Sequence, residues 1–408
     1  MSQYFPPEIG APQVRLAAVA TALVGKGHAV EVVTGMPNHP TGRIFPEYRH
    51  RFYVHENWQG CRVHRVWLYA ALGAGIYRML NYLSFVITVC WPLSRVRKPD
   101  IVLVESPPPF YMVPVVFFNL FWRAKLVMNV ADLWPDSVIE MGLMKKGLRT
   151  GILGVVERWS YRCADRVNAM TEGIRDSLIR CKAVPENKVL FFPNGVDVIT
   201  FEPKEPDPLL AKELGLQHAR VILYAGTLGY AQGLETALRA MVEVTPSLPD
   251  VCLVLIGDGS ERAALEQLAS ELRLGNVRFL PPRPPEYVAR LYSLALAGLA
   301  TLKALPLFEG ARPSKIFPIM ACGKAVIYSG AGEGARLIAK AKAGVITPPG
   351  DVRALADAIS SLANNPALAA ICGRNGRDFV LRHLSWGRII DEWLKQLGVV
   401  SPAFQEPA

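Results

Sequence analysis

Short apolar runs alternate with helical patterns of apolar and polar positions along the whole chain of 408 residues. Most of these runs are continuously apolar, which is typical of parallel strands that helices cover on both faces. The chain is therefore predicted to be an α/β protein. The predicted strands are residues 29–34, 100–104, 125–130 and 166–171 in the first half, and 221–225, 252–256, 277–280, 296–301, 325–329 and 344–347 in the second.

The strands fall into two series, separated by a turn signal at Pro193, Asn194 and Gly195. A chain of this length normally forms about two domains. Two α/β units in series predict two Rossmann-like domains with doubly wound parallel sheets. Ligands of such sheets bind at the carboxyl ends of the strands, so paired domains of this kind are expected to face each other across a cleft.

The seven cysteines are scattered, with no C-x-x-C pair. Neither a disulfide framework nor a zinc site is expected, and a reducing compartment fits best. The segment that starts at Met1 has no basic region followed by a long apolar run, so no signal peptide is predicted. We expect a cytoplasmic protein.

Positive charge is concentrated in the first half of the chain. Residues 1–195 hold 23 Lys and Arg against 14 Asp and Glu, a net charge of +9 out of the total of +10. This imbalance favours an anionic partner, which could be nucleic acid, anionic lipid or a phosphorylated acceptor, although solubility alone also explains it.

Two apolar stretches, 79–91 and 110–122, are each followed by basic residues. Both are shorter than the roughly 20 residues that a helix needs to span a bilayer. Buried core helices are the favoured interpretation. The alternative is an apolar surface that docks on the inner leaflet of the membrane, which would make the protein peripheral.

Residues 308–315 (Phe-Glu-Gly-Ala-Arg-Pro-Ser-Lys) precede a small-residue helical segment and a β-rich run. A loop before a helix N-terminus can bind phosphates through backbone N–H groups. Arg312 and Lys315 would add positive charge, and Glu309 would accept hydrogen bonds from sugar hydroxyls. The segment alone fits a nucleotide-sugar site and an ordinary solvated loop about equally well.

Several segments together resemble the retaining, nucleotide-sugar-dependent glycosyltransferases of family 4. The resemblance follows the order of the family's motifs over nearly the whole chain, and includes the 308–315 segment. It is closest to the branch that builds bacterial surface polysaccharides, including N-acetylfucosaminyl transferases of O-antigen, capsule and colanic acid type. The other matching segments are residues 4–11, 25–34, 132–136, 171–174, 193–197, 224–229 and 257–259.

The resemblance implies the GT-B fold. Its domains would be an acceptor-binding domain at 1–193, with 385–400 packing back on it, and a nucleotide-sugar-binding domain at 194–384. It also implies transfer of a sugar, from UDP as first choice and possibly an N-acetylated deoxyhexosamine, to a polyprenyl-diphosphate-linked saccharide. Neither a metal nor a cofactor is expected, and the inner leaflet of the membrane is an expected partner.

On the acceptor side, Asp132 follows a predicted strand and is the candidate that orients or deprotonates the acceptor hydroxyl. Asp136 is interpreted as a helix cap. His39 is a weaker candidate in a loop. Gly10, after a strand end and before an apolar helix, would let backbone N–H groups approach the donor phosphate.

The chain departs from the family at its acidic pair. The family has two glutamates with seven residues between them. Glu309 corresponds to the first glutamate, displaced by one position, and Pro318 stands where the second glutamate is expected. Glu333 is the candidate for the missing ribose contact.

The Arg and Lys that the family carries at the start of the second domain are also absent. Thr227 and Gln232 stand there instead. Lys315, together with Arg312, is then the expected cationic partner of the diphosphate. In the resulting hypothesis, Asp132, Glu309 and Lys315 are catalytic, and Lys315 also binds the donor. The other donor-binding candidates are Gly10, Thr227, Gln232, Arg312 and Glu333.

A second departure concerns the apolar strand that precedes Tyr4 in the family, because here Met1 is followed at once by Ser2 and Gln3. A central strand of the first sheet is therefore expected to be missing, which would leave backbone groups unpaired on its neighbours. A chain extended upstream is expected to be more stable.

Three other functions remain open from the sequence. A GT-B nucleotide-sugar epimerase would need no lipid-linked acceptor, which the basic, apolar first half disfavours. A nucleic-acid-binding protein fits the charge, but the cations are dispersed and no binding module is recognisable, so no nucleic-acid partner is expected. An inactive partner subunit that keeps the fold is the third, because Pro318 replaces a functional acid.

Overall fold

The computed structural model of the chain describes residues 1–8, 10–71, 75–140, 147–305 and 308–399. The chain divides into two compact units. The first comprises Met1–Asn194 together with the segment from Ile389 onward, and the second comprises Gly195–Arg388.

The first unit holds seven strands in two sheets. The smaller sheet has the order β1-β3-β2, in which β1 is parallel to β3 and β2 forms an antiparallel hairpin with β3. The larger sheet has the order β4-β5-β6-β7 and is parallel throughout. The strands are β1 (Glu31–Gly35), β2 (Tyr53–Trp58), β3 (Cys61–Val66), β4 (Ile101–Ser106), β5 (Lys125–Val130), β6 (Arg166–Ala169) and β7 (Val189–Phe191).

The backbone of residues 1–3 lies between β1 and β4. Ser2 donates its N–H to Val33 O of β1 (3.1 Å), and Gln3 O accepts from Gly35 N (3.2 Å). On the other side, the Met1 ammonium donates to Leu103 O of β4 (2.6 Å). These three residues thus pair with both strands at the place where a central strand was expected.

The first unit begins with a helix that starts after Gly10 and has a proline in its first turn, where no intrahelical N–H is needed. The helices are α1 (Ala11–Gly25), α2 (Ile76–Thr88), α3 (Cys90–Leu93), α4 (Met112–Trp122), α5 (Asp136–Glu140), α6 (Leu148–Cys163) and α7 (Glu172–Arg180). The inner faces of α2, α3, α4, α6 and α7 form one apolar core with the larger sheet, whereas α1 packs in a separate cluster with β3. None of the helices that the structure describes is long and apolar enough to cross a bilayer.

The second unit is built on one parallel sheet with the order β10-β9-β8-β11-β12-β13. The chain starts at β8 in the centre, runs outward to β10, and then returns to β11 on the other side of β8. This reversal is the topological switch point of a doubly wound fold. The strands are β8 (Arg220–Ala225), β9 (Val251–Ile256), β10 (Val277–Leu280), β11 (Ala295–Thr301), β12 (Ala325–Ser329) and β13 (Gly344–Thr347).

Alternate residues of the central strands enter two different cores. On β8, Ile222 and Tyr224 pack into one cluster of helices, while Val221 and Leu223 pack into the other. A strand buried on both faces has no polar positions, because successive side chains point to opposite faces of the sheet. This explains the continuous apolar runs in the sequence.

Helices cover both faces of this sheet, and three of them are capped by side chains. Asp207, Asp351 and Asn365 each accept a hydrogen bond from a backbone N–H of the first turn. The helices are α8 (Pro208–Glu213), α9 (Glu235–Val244), α10 (Arg262–Glu271), α11 (Pro285–Leu294), α12 (Ile316–Ala321), α13 (Gly332–Ala341), α14 (Val352–Asn364) and α15 (Pro366–His383). The last helix, α16 (Trp386–Gln396), belongs to the first unit from Ile389 onward.

The prediction of an α/β fold with parallel sheets is confirmed, and all six strands of the second unit lie within a residue of their predicted positions. The hairpin of β2 and β3 and the short strand β7 were missed. β2 pairs antiparallel and has three consecutive polar residues (His, Glu and Asn) in its middle, so it contains no continuous apolar run. The stretches 79–91 and 110–122 are helical, but only one face of each is buried.

The buried Trp393 attaches the end of α16 to the first unit. The buried Trp393 indole donates from Nε1 to Asn168 Oδ1 of β6 (3.0 Å), and its ring lies 4.9 Å from that of Phe192. Nearby, Lys125 Nζ donates to Leu397 O (2.7 Å). The carboxyl-terminal segment is therefore part of the core of the first unit.

We expect Trp393→Ala to lower the free energy of unfolding by about 3–5 kcal/mol, because it leaves a cavity and an unpaired amide on Asn168. Denaturant unfolding followed by circular dichroism measures this. Lys395→Ala, an exposed change on the same helix, is the control and should stay within about 0.5 kcal/mol. Equal stability of both variants would contradict the role given to Trp393.

Candidate active site

The candidate donor-site residues of the second unit follow two neighbouring strands. Gly226 and Thr227 come directly after β8, and the loop that ends at Lys315 follows β11. Because β8 and β11 are adjacent and parallel, both loops start from the same edge of the sheet. This edge is the switch point, where doubly wound folds bind their ligands.

Lys315 lies at the start of α12 with its ammonium group turned to a neutral partner. Nζ donates to the hydroxyl of Tyr224 (2.8 Å) and lies 4.7 Å from the centre of that ring. Among the residues that the structure describes, no carboxylate forms an ion pair with Lys315. Burial lowers the pKa of Lys315 from its ordinary value of 10.5 to about 8. The site thus holds a partly buried cation that lacks a counter-ion.

Glycines let the loops after β8 and β9 pass close to this lysine. Gly226 has φ 150°, and a Cβ on it would lie 3.3 Å from Lys315 Cε. A Cβ on Gly257 would lie 1.9 Å from Gly226 O, which no side chain tolerates. The hydroxyl of Tyr224 completes the arrangement by donating to Thr227 O (2.6 Å). Backbone rather than side chains therefore lines this part of the site.

The loop that carries Glu309 rests on the beginning of α13. Glu333 N donates to Glu309 O (2.8 Å), and Gly332, with φ 69°, leaves no room for a Cβ beside the Glu309 backbone. The Glu309 side chain is exposed and makes no ion pair within the described part of the chain. Burial, with the Glu309 charge added, raises the pKa of Tyr328 to about 12.

Arg312 and Glu333 form an ion pair with each other. Both were expected to bind the donor, Arg312 through the diphosphate and Glu333 through the ribose. The Glu333 carboxylate is almost completely buried, with 4% of its side chain exposed. In this structure the pair connects the 308–315 loop to α13, so Lys315 is left as the cation that is open to an anion.

Thr227 is exposed at the end of β8, where its hydroxyl faces no hydrogen-bond partner within the described residues. Gln232 has a structural task, because its Oε1 accepts from Gly229 N (3.2 Å) and closes the turn of residues 229–232. Its position beside the loop agrees with the predicted site. Its amide oxygen is occupied within the turn.

Lys303 was missed by the sequence reasoning. It follows β11 directly, and its Nζ lies 3.5 Å from the ring centre of Tyr230 and 3.4 Å from Glu235. Its backbone N–H donates to Ala231 O (3.0 Å). Lys303 thereby brings a cation to the loop in which the family's Arg and Lys are replaced. Its position at the carboxyl end of a switch-point strand was the signal that could have identified it.

Pro318 occupies the first turn of α12, a helix of six residues. The backbone N–H groups of a first turn have no intrahelical acceptor, so a proline costs no hydrogen bond there. Pro318 O still accepts from Cys322 N (2.9 Å). The substitution is compatible with the fold and removes only the carboxylate.

In the first unit, Asp132 follows β5 and lies just ahead of α5. Its Oδ2 accepts a hydrogen bond from the hydroxyl of the buried Ser137 (2.7 Å). Asp136, interpreted as a cap, lies in the first turn of α5 and pairs with Lys182 (2.7 Å). Lys182 also contacts the buried Glu157 (2.6 Å). The structure therefore gives Asp136 a clear structural partner and leaves one oxygen of Asp132 available.

Glu8 connects two loops at the same edge of the first unit. Its Oε1 accepts from Asn38 N (2.7 Å) and His39 N (2.8 Å), just after β1. Burial raises the pKa of Glu8, although these hydrogen bonds oppose the shift. Gly10 follows in extended backbone, where a Cβ would lie 2.5 Å from Gln13 Oε1. His39 is thus held by its backbone, and Gly10 leaves space for the Gln13 side chain.

Arg78, at the start of α2, is a second cation without an acidic partner among the described residues. It donates to the hydroxyls of Tyr4 (2.6 Å) and Tyr82 (2.9 Å). Ring contacts then lead from Tyr82 through Phe110 to Trp134, two residues after Asp132. This aromatic cluster connects Arg78 with the Asp132 loop. No pattern in the sequence predicts this cluster, because Arg78 lies at the edge of an apolar helix.

The residues that the structure describes contain no group of three His, Cys, Asp or Glu side chains that could hold a metal ion. The candidate sites are built from cations, single carboxylates, hydroxyls and backbone groups.

Comparison with known families assigns both units. The family described as "Glycosyl transferase 4-like domain" matches residues 10–195, and "Glycosyl transferases group 1" matches residues 209–379. The chain belongs to the glycosyltransferases of family 4. The predicted resemblance is therefore confirmed, and the chain is a glycosyltransferase.

Relatives of this glycosyltransferase match most of its length. A protein whose name assigns it to colanic acid biosynthesis as a glycosyl transferase, WcaI of Escherichia coli K12, is 27% identical over 312 residues, covering 74% of this chain and 75% of that protein. A D-inositol 3-phosphate glycosyltransferase of Saccharomonospora viridis is 28% identical over 271 residues, covering 64% of this chain and 61% of that protein.

Among solved structures, HepE of Anabaena in complex with UDP and glucose superimposes with a TM-score of 0.71. The match covers 97% of this chain and 99% of HepE at 19% identity. The likeness establishes the GT-B fold.

We expect Lys315→Met to raise the free energy of unfolding by about 1–3 kcal/mol at pH 7, because the wild type must keep a charge in a site that favours the neutral amine. The folded pKa is below the unfolded one, so this penalty is complete below pH 8 and fades as the pH rises towards 10.5. Denaturant unfolding between pH 7 and 10.5 measures it.

Lys340→Met, at an exposed position of α13, is the control for removing a lysine. A gain in stability for Lys315→Met that did not shrink at high pH would show that better packing, and not the removal of a buried charge, is the cause.

Proposed function

We propose that this glycosyltransferase transfers a sugar from a nucleotide diphosphate, with UDP as the first choice, to a saccharide on a polyprenyl diphosphate carrier, with retention at the anomeric carbon. The observation that carries the donor assignment is Lys315. A partly buried ammonium that has only a phenol as partner is suited to an anion that arrives with the substrate.

Departure of the sugar leaves growing negative charge on the diphosphate. Lys315 would stabilise this charge in the transition state. Because Lys315 has no carboxylate partner among the residues that the structure describes, no ion pair there has to break before it binds the diphosphate. Lys303 would supply a second cation at the rim of the same loop. Glu309, exposed and without an ion pair, would accept hydrogen bonds from the sugar hydroxyls.

On the acceptor side, Asp132 would orient the attacking hydroxyl and accept its proton. The hydrogen bond from Ser137 fixes one carboxylate oxygen and leaves the other for the substrate. Arg78 would bind a phosphate of the carrier lipid, because its neutral tyrosine partners leave its charge uncompensated.

The name of WcaI, which refers to colanic acid biosynthesis, supports a role in the biosynthesis of a bacterial surface polysaccharide. The UDP complex of HepE supports UDP as the donor nucleotide. The sugar itself, for which an N-acetylated deoxyhexosamine is our candidate, is to be found by screening nucleotide sugars.

We expect UDP to raise the melting temperature of the wild-type protein more than GDP or ADP does, and Lys315→Ala to abolish the shift while Lys340→Ala retains it. The physical reason is the loss of Lys315, whose ammonium has no carboxylate partner within the described part of the chain. Differential scanning fluorimetry with each nucleotide measures the shifts. A UDP shift that survives in Lys315→Ala would remove Lys315 from the proposal.

The affinity for UDP should fall as the pH rises above 8, by about tenfold at pH 9, because only the protonated Lys315 attracts the diphosphate. Titration calorimetry between pH 7 and 9 measures the dissociation constant. Lys315→Arg, which stays charged throughout, should bind with little change over this range. A wild-type affinity independent of pH would contradict the assignment.

Asp132→Asn should lower kcat by about 100-fold or more, because the amide cannot accept the acceptor proton. Asp136→Asn is the matched control, since it breaks the pair with Lys182 and should lower stability with little effect on kcat. Transfer from the donor to a polyprenyl-linked acceptor, followed by chromatography, measures both. Similar kcat values for the two variants would assign Asp132 a structural role. The anomeric NMR signals of the product report separately whether the reaction retains or inverts the configuration.

A further inference from the structure

Helix α4 of the first unit has an apolar face that no part of the described chain covers. Phe117, Leu120 and Phe121 are 58%, 70% and 70% exposed, and Val113 continues the same face one turn earlier. A helix that packs only against its own core normally carries polar residues on its outer face. Here the outer face is as apolar as the inner one.

The neighbouring helices repeat this pattern. On α2, the exposed residues Ile76, Leu80, Leu83 and Ile87 are spaced by three or four, so they form one stripe. On α6, Ile152, Val155 and Trp159 form another. Both helices pack beside α4. The three stripes together form one surface, which we call the apolar face, and it is larger than the scattered exposed residues of an ordinary soluble surface.

One edge of the apolar face is aromatic. Trp91, after α2, is exposed and lies 6.2 Å from the exposed Phe52 ring. Trp67 and Tyr69, at the end of β3, are exposed beside them, and their backbones are hydrogen-bonded to Thr88 and Ser84 of α2. Trp and Tyr rings are enriched where proteins meet the boundary between lipid headgroups and acyl chains.

Cations border the apolar face, and acids are absent from the same segments. Residues 75–99 contain four cations and no Asp or Glu, and residues 110–124 contain one cation and no acid. On α6, the one acid, Glu157, is buried against Lys182. The exposed cations of the border form no ion pair within the described residues, and they are Arg95, Arg97, Lys98, Arg123, Arg158 and Arg162.

This charge pattern distinguishes between two partners that could cover the apolar face, a second copy of the chain and a lipid surface. In a symmetric dimer the same patch meets itself, so the unpaired cations of one copy would approach those of the other without acids to compensate them. An anionic lipid surface offers both an apolar interior for the rings and negative headgroups for the cations.

We propose that the apolar face of the first unit inserts into the headgroup and acyl-chain boundary of an anionic bilayer, with the bordering arginines and lysine on the lipid phosphates. Arg95 illustrates the arrangement, since its guanidinium lies 3.4 Å over the ring of Trp91. The membrane surface is argued independently of the proposed function, and one consequence rests on that function. A lipid-linked acceptor would reach Arg78, on the first turn of α2, from the membrane.

The test is flotation of the full-length protein with vesicles of phosphatidylcholine and phosphatidylglycerol, and with vesicles of phosphatidylcholine alone. We expect binding to the mixed vesicles that weakens as salt is added. The triple variant Phe117→Ser, Leu120→Ser and Phe121→Ser should lower the partition coefficient by about tenfold or more, because it removes the largest exposed apolar side chains.

The matched control is Ile199→Ser with Leu209→Ser. These residues of the second unit are 81% and 77% exposed but lie outside the apolar face, so binding should not change. A second variant, in which Arg95, Arg97 and Lys98 are replaced by Gln, should lose the preference for phosphatidylglycerol. Melting temperatures and UDP binding of the variants verify the fold and test the donor site independently, since these vesicles contain no acceptor.

Three results would overturn the proposal. The wild type could fail to float with anionic vesicles, or the triple variant could bind like the wild type. Third, sedimentation velocity could show that the wild type is a dimer and the triple variant a monomer, while neither protein binds vesicles. In that case a second copy of the chain, and not a membrane, would cover the apolar face. Loss of UDP binding with intact flotation would contradict the proposed donor site and leave the membrane surface in place.

Discussion

The hydrogen bond between Lys315 and Tyr224 is the interaction on which the donor side of this glycosyltransferase depends. A lysine at the switch point of a parallel sheet would normally pair with a carboxylate, and such a pair would compete with the substrate for the cation. A phenol positions the ammonium without neutralising it. The cost is a charge in a site that favours the neutral amine. Glycines at 226 and 257 let the backbone approach the same place. The site is therefore less stable than a neutral one would be and is ready for an anion.

The two units use apolar residues in different ways. In the second unit, both faces of the sheet are covered by helices, and the apolar strands are buried completely. In the first unit, α2 and α4 are as apolar as core helices, yet each buries only one face. The sequence alone could not distinguish these cases. The length and composition of residues 79–91 and 110–122 fit a buried helix, and only the packing identifies which side is covered. The preference for buried helices was wrong for the outer faces.

The fold was predictable to the extent that it follows from local patterns. Continuous apolar runs identified every strand of the second unit, because a strand buried on both faces leaves no other pattern. The hairpin of β2 and β3 lacks this signal, since its outer residues are polar. Within the candidate site, Lys315 and Glu309 were found from the order of residues in one loop. The pair of Arg312 with Glu333 could not be found in this way. It joins residues 21 positions apart, and it depends on how α13 returns to the loop. Arg78 was missed for the same reason, whereas the position of Lys303 directly after β11 could have identified it.

The departures from the family pattern act together on the charge of the donor site. Thr227 and Gln232 remove two cations, and Pro318 removes one acid. Lys303 returns one cation to the same loop, and the ion pair of Arg312 with Glu333 contributes no net charge. Lys303 is itself close to Glu235, so Lys315 is the cation of the two that has no carboxylate partner within the described residues. The loss of the second glutamate removes an acid from the site and leaves this cation in place. Lys315 therefore keeps the charge that a diphosphate requires, which favours a working enzyme over an inactive relative that keeps only the fold.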